Sequence, residues 1–257
     1  MKFIALTFDY NIKNLESIGR KWAPNVYKNK DFIFEYSAAS YASFIYHNPD
    51  KKLDILTDDI EFMREKMSKY FVSAHNINYI DWSTELNEHK KHKYAFEPLI
   101  QLIKKYKDSD DYLIKLDNDL ICKKPFDLKL NNEVLVWKYE RKVSDGDNRW
   151  GEKLICKTVL NTINFDIYNV GLLGLPPSFW KYYEDYLLTC YNMVDIDISG
   201  VTDVDSKIYH CCEQTAYNWI FYKNNFKIVQ TYDYFEHYFD NKQKCIFDAT
   251  QYLKTRQ

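Results

Sequence analysis

The sequence predicts an α/β fold: a central mixed, mostly parallel sheet flanked by helices, in one domain. Three observations predict it. Short apolar runs alternate with longer amphipathic segments along the chain. With 257 residues and 46% hydrophobic content, the chain can bury one sizeable core. No internal repeat and no low-complexity linker divides it.

The elements follow in order. Residues 2–8 read as a buried first strand. Residues 12–22 and 32–47 read as helices, the second because Phe32, Tyr36, Ala39 and Ser43 recur at helical spacing. Leu53–Leu56 is a second strand, stopped by Thr57-Asp58-Asp59; a helix over 59–70 and a strand over 77–80 follow. A helix over 89–106 carries Phe96, Leu99, Ile100 and Ile103 on one face. Tyr112–Leu116 is the next strand, and Glu133–Tyr139, rich in Val and Leu, another. Residues 140–152, with Asp145-Gly146-Asp147-Asn148, read as a polar surface loop. Tyr168–Leu175 is a short strand ending at Pro176-Pro177, and Ser178–Met193 an amphipathic helix. An acidic loop over 194–205, a helix over 206–223, a strand over 227–230 and an aromatic tail complete the chain. The alternation is regular in the first half and irregular in the second.

Composition excludes several function classes. The chain has 35 basic and 37 acidic residues and a formal charge of −2, which gives no electrostatic case for nucleic acid. Its 23 Tyr, 16 Phe and 6 Trp are mostly core material, although a flat face with a hydroxyl also suits a sugar or base site. Cys122, Cys156, Cys190, Cys211, Cys212 and Cys245 form no Cys-x-x-Cys pair, which points to free thiols in a reduced compartment. His210-Cys211-Cys212 lacks the usual zinc-ligand spacing. The apolar run at the N-terminus is closed by Asp9 and is too short for a signal sequence. No stretch reaches the roughly 18 apolar residues of a membrane span, so the expected location is the cytoplasm.

Asp-x-Asp occurs five times, at 108/110, 117/119, 145/147, 195/197 and 203/205. Four pairs sit in polar surroundings, as solvated loop carboxylates do. The 117/119 pair differs, because the apolar strand Tyr112–Leu116 delivers both carboxylates and apolar chain resumes at Leu120. Carboxylates at the end of a buried strand are costly unless compensated. Either Asx hydrogen bonds of a strand-end turn or a divalent cation can compensate them. Hard oxygen ligands suit Mn²⁺ or Mg²⁺.

The segment Tyr112–Phe126, YLIKLDNDLICKKPF, resembles the metal-binding strand and turn of GT-A fold glycosyltransferases. Four further segments, across roughly residues 2 to 240, stand in that family's order. The resemblance implies a GT-A-like, Rossmann-like domain with a nucleotide-binding half over 1–127 and an acceptor half over 128–257. It also implies that the turn holding Thr7, Asp9 and Tyr10 binds base and ribose. Tyr168-Asn169-Val170-Gly171 resembles the family's N-x-G strand, which places Asn169 and Gly171 beside the donor sugar. Glu213-Gln214 resembles the acidic-Gln segment that opens a helix by the sugar, although Asp is more usual at the first position. There Glu213 is the candidate catalytic carboxylate, together with Asp119, and Gln214 a donor contact. His237 falls where many members place a third metal ligand beside Asp117 and Asp119. The Gly and Lys-Pro that follow in one retaining subgroup are missing, so the stereochemistry stays open. Asn118, Lys93 and Lys242 complete the implied donor contacts, the two lysines toward the diphosphate.

The expected function is therefore metal-dependent transfer of a sugar from a nucleotide-sugar donor, with a UDP-sugar favoured and Mn²⁺ or Mg²⁺ as cofactor. The expected acceptor is a glycan, a protein or a lipid-linked carbohydrate, with no nucleic acid and no membrane span involved. The alternative is a non-catalytic nucleotide-sugar or carbohydrate-binding module of the same fold.

Overall fold

The structure, a computed structural model, describes residues 1–7, 29–70, 74–82, 106, 110–145, 152–194, 211–238 and 242–254, with backbone alone at 211, 212, 242 and 251–254. Nine strands are found among them: β1 Lys2–Thr7, β2 Leu53–Thr57, β3 Ile77–Asp81, β4 Leu113–Leu116, β5 Leu120–Cys122, β6 Val134–Lys142, β7 Asp166–Leu175, β8 Ile228–Gln230 and β9 Phe235–His237. Seven form one sheet in the order β3-β2-β1-β4-β7-β6-β8, and β5 and β9 pair separately. β1, β2, β3 and β4 run parallel to one another, as do β6 and β8, and β7 alone runs against its neighbours. This is the expected mixed, mostly parallel sheet flanked by helices.

Strands buried on both faces read as unbroken apolar runs. β4, Leu113-Ile114-Lys115-Leu116, is buried at every position, including its lysine. β1 lies between β2 and β4, with Ala5 opposite Ile55 and Leu116. Both strands that flank the future site, β1 and β4, thus end close together at the same edge of the sheet.

One face is covered by the helix Lys30–His47, which opens on Asn29, whose side chain accepts from the Phe32 N–H. Its spacing suggested a one-sided helix, but it is buried nearly all round, from Ile33 through Ile45. The reason is its neighbours: it packs on β1 and β5 below and on the helices Ile60–Ser68 and Lys242–Lys254 above. Small and hydroxyl residues, Ser37, Ala38, Ala39, Ser40, Ala42 and Ser43, allow that close approach. The Ser37 hydroxyl donates back to the Ile33 carbonyl at 2.7 Å, so its burial leaves it satisfied.

The other face carries the helices Tyr183–Val194 and Cys211–Lys223, which pack on each other, the second also on β7. Phe179 is fully buried there, ringed by Trp180, Tyr186, Tyr217, Phe221 and Phe226. Tyr186 and Tyr217 stack at 4.2 Å. Much of the aromatic excess is therefore core.

Several boundaries differ from the expectations. β6 continues to Lys142 and a 3₁₀ turn covers Val143–Asp145, so the polar segment after Tyr139 begins as strand. A helix over Glu152–Leu160 then buries Ile155 and Cys156, the latter in a satellite cluster with Val143, Phe165 and Ile167. The helix expected from Ser178 starts as a 3₁₀ turn at Pro177–Tyr182, with Pro177 suited to the first turn and Pro176 at the cap position offering no side-chain hydrogen bond. The aromatic tail contributes β9 and the helix Lys242–Lys254. The expected helix over 12–22 lies outside the described residues, as does that over 89–106 apart from Tyr106. No helix among the described residues is long and apolar enough to cross a membrane.

Candidate donor and metal site

The site begins where β4 ends. Asp117 follows Leu116 directly, and a tight turn through Asn118 brings Asp119 to the start of β5. Three neighbours hold this turn. The Asp117 N–H donates to the Gly171 carbonyl of β7 at 2.8 Å. The Ser40 hydroxyl, on the Lys30–His47 helix, lies 2.5 Å from the Leu120 carbonyl and 3.3 Å from that of Asp117. The Tyr238 N–H donates to the Asp119 carbonyl at 3.0 Å.

The β5–β9 ladder sets Leu120 opposite His237, and that register brings the imidazole onto the turn. His237 Nε2 lies 2.9 Å from Asp119 Oδ1. Trp137 meets the His237 ring edge-on at 4.9 Å and donates its indole N–H to the Phe235 carbonyl at 3.0 Å, so the ring is fixed from β6 as well. Asp117, Asp119 and His237 each offer one ligand atom, and these atoms lie within 4.8 Å of one another. Asp119 is 3% exposed, and a carboxylate so placed needs compensation.

Gly171 forms the floor of the cluster. A Cβ there would stand 2.9 Å from Asn169 Oδ1, 3.3 Å from Asp117 Oδ2 and 3.4 Å from His237 Cε1. A side chain at this point would displace Asn169, so the close approach favours glycine.

A polar network backs the floor. Glu140, near the end of β6, accepts from Asn169 Nδ2 at 2.9 Å and from Gln214 Nε2 at 3.0 Å. The two amide oxygens accept in turn from β7: Asn169 Oδ1 from Gly171 N at 2.8 Å and Gln214 Oε1 from Val170 N at 3.3 Å. Arg141 pairs with Glu140 at 2.9 Å and with the buried Glu152 at 2.7 Å, and Thr215 also donates to Glu152 at 2.9 Å. A bulge in the β6–β7 ladder between Tyr139 and Arg141 accompanies this arrangement.

Glu213 and Lys115 complete the buried charges. Burial, reinforced by repulsion from Asp117 and opposed by Lys115, raises the Glu213 carboxyl to about 7. Its Oε1 is buried with no hydrogen-bond partner among the described residues. Lys115 is 8% exposed, and its ammonium lies 2.5 Å from Asp117 Oδ1. Burial pulls its pKa down, but Asp117, Glu213 and Asp119 outweigh that and raise it.

The structure therefore brings together Asp117, Asp119, His237, Asn169, Gly171, Glu213 and Gln214, with Asn118 half-buried in the turn between the two carboxylates. Thr7 ends β1 nearby, but it is fully buried and its hydroxyl lies 2.7 Å from that of Tyr41, so its side chain belongs to the core. Asp9, Tyr10 and Lys93 lie outside the described residues, and Lys242 is described by backbone alone, at the start of the last helix. Of the other Asp-x-Asp pairs, Asp110 and Asp145 are exposed and the remaining members lie outside the described residues. Sequence reasoning missed Glu140, which looked like the start of a polar loop. It also missed Lys115, although a charge inside an otherwise apolar strand was a visible signal.

No family model and no curated protein matches the sequence. Solved structures do match the fold. The galactosyltransferase LgtC, solved with donor and acceptor sugar analogues, aligns at a TM-score of 0.53 and 13% identity over 89% of this chain and 73% of that one. The bifunctional glycosyltransferase WbbM, in its apo form, aligns at a TM-score of 0.51 and 12% identity over 98% of this chain and 44% of that one. Mouse xyloside xylosyltransferase 1, also apo, aligns at 0.50 and 8% over 90% and 85%. At such identities the likeness lies in the arrangement of elements, and by that arrangement this chain has the GT-A glycosyltransferase fold.

Proposed function

We propose that this chain is a metal-dependent glycosyltransferase that moves a sugar from a nucleotide-sugar donor, a UDP-sugar being favoured, to a glycan, protein or lipid-linked acceptor. The observation that carries the reading is the convergence of Asp117, Asp119 and His237, with ligand atoms within 4.8 Å, at the carboxyl end of β4. Ligands collect at the carboxyl ends of strands in open α/β sheets. Two carboxylates and one imidazole, this close together, fit a single Mn²⁺ or Mg²⁺ by donor type. Such an ion supplies Lewis-acid stabilisation for a diphosphate leaving group.

The chain's own residues do the rest. Asp117, Asp119 and His237 present a pre-shaped donor set, braced by Ser40, Gly171 and Trp137. Gly171 keeps the floor low enough for a sugar to approach. Asn169 and Gln214 are held in register by Glu140, and each amide nitrogen has a second N–H to offer a sugar hydroxyl. Glu213, with a carboxyl near 7, either takes the acceptor proton or orients the sugar. Asp9 and Tyr10 are assigned to base and ribose, and Lys93 and Lys242 to the diphosphate.

The test is direct. The protein is incubated with Mn²⁺ and UDP-, GDP- and dTDP-sugars, and released nucleoside diphosphate is measured. Release that requires Mn²⁺ supports the reading. Binding without release over hours supports the non-catalytic module instead.

A further inference from the structure

Strand β4 carries one charge that the metal reading leaves unused. Lys115 sits between Ile114 and Leu116, both buried, and is itself almost wholly buried. A lysine there costs desolvation that only a specific partner offsets. Its partner is Asp117: the ammonium lies 2.5 Å from Oδ1. The other oxygen, Oδ2, faces the Gly171 floor beside His237 Cε1. Asp117 thus meets the ammonium through Oδ1 while Oδ2 borders the Gly171 floor, and the residue also belongs to the cluster with Asp119 and His237. In charge, the Lys115 ammonium already faces Asp117, Glu213 and Asp119 before any ion arrives.

This arrangement has a definite electrostatic consequence. A divalent cation on Asp117 must come within a few ångströms of the Lys115 ammonium, and at the effective dielectric of a protein interior that repulsion is large. A diphosphate reverses the balance, because its negative charge attracts both cations. We propose that Lys115 is a built-in counter-cation that makes ion uptake donor-dependent: it weakens binding of a bare divalent cation at Asp117 and favours the ion only in company with a nucleoside diphosphate. The proposal rests on the metal site described above and adds an order of binding to it. Lys115 is a positioning residue in this scheme, acting through Asp117 and not on the sugar.

Calorimetric titration of Mn²⁺ into the full chain, with and without saturating UDP, tests it. Wild type is expected to bind Mn²⁺ much more tightly when UDP is present. Lys115→Met, close to lysine in shape but uncharged, is expected to bind Mn²⁺ alone at least about tenfold more tightly than wild type. The gap between its affinities with and without UDP is expected to narrow. Lys115→Arg keeps the charge and is expected to keep the wild-type pattern. If Lys115→Met does not fold, Lys115→Gln carries the same comparison. A folded, uncharged variant that binds Mn²⁺ alone no more tightly than wild type overturns the role of Lys115 and leaves the metal site standing. Failure of wild type to bind Mn²⁺ even with UDP overturns the metal site, and this proposal with it.

Discussion

His237 Nε2 stands 2.9 Å from Asp119 Oδ1, held there by a ladder that pairs Leu120 with His237. Asp119 belongs to the first half of the chain and His237 to the second, yet the two side chains lie together beside Asp117. Asp119→Ala removes a carboxylate from that pair while leaving the backbone bond between Asp119 and Tyr238 in place. Mn²⁺-dependent release of nucleoside diphosphate is expected to fall by about 100-fold or more, with the circular dichroism spectrum unchanged. Wild-type transfer rates in this variant would show that the metal assignment is wrong.

Gly171→Ala tests the floor. Its Cβ is 2.9 Å from Asn169 Oδ1, so Asn169 must shift and with it the network on Glu140. The cost in stability is expected to be about 1–3 kcal/mol, read as a lower denaturant midpoint. Mn²⁺ affinity in the presence of UDP is expected to drop as well, because Asp117 and His237 border the same point.

Glu140→Ala unlocks Asn169 and Gln214 and takes from Arg141 one of its two carboxylate bonds, that to Glu140, while the bond to Glu152 stays. Loss of these charge-assisted bonds is expected to cost about 1–3 kcal/mol of stability and to raise the donor KM. Glu140→Gln keeps one accepting oxygen and is expected to lie between wild type and the alanine variant. Equal KM for all three proteins would remove Glu140 from the donor side.

Glu213 ties stability to pH. Its carboxyl is raised from 4.5 to about 7, first by burial, so the folded chain holds a proton there that the unfolded chain has released. Linkage then makes stability fall as pH rises from about 4.5 through 7, by an amount on the order of 3 kcal/mol at the upper end. Glu213→Gln, neutral at every pH, is expected to flatten this slope in a series of unfolding curves from pH 5 to 8. If Glu213 is the base, the rate of transfer in wild type rises through the same interval and the variant loses that rise.

Much of the site was legible because β4 announces itself locally. An apolar strand that delivers Asp117 and Asp119 and then resumes as apolar chain has a meaning within ten or so residues. The sheet was legible for the same reason: β1, β2 and β4 are short apolar runs between turn signals. Glu140 was not legible, since its role depends on a bulge between β6 and β7 and on the distant Gln214. The pairing of β5 with β9 had no local signal either, being three residues on each side and far apart in sequence. His237 was named only through a family resemblance, and its place beside Asp119 came with the ladder. The helix Glu152–Leu160 was hidden behind a polar stretch that reads as loop, although Ile155 and Cys156 form a buried face.

The dependence of the site on β9 bears on how a nascent chain matures. β1 through β8 precede His237 in the chain, so both aspartates are synthesised before the imidazole that lies beside them. The β5–β9 ladder supplies His237, so a chain that had not yet reached β9 would present Asp117 and Asp119 without their imidazole neighbour.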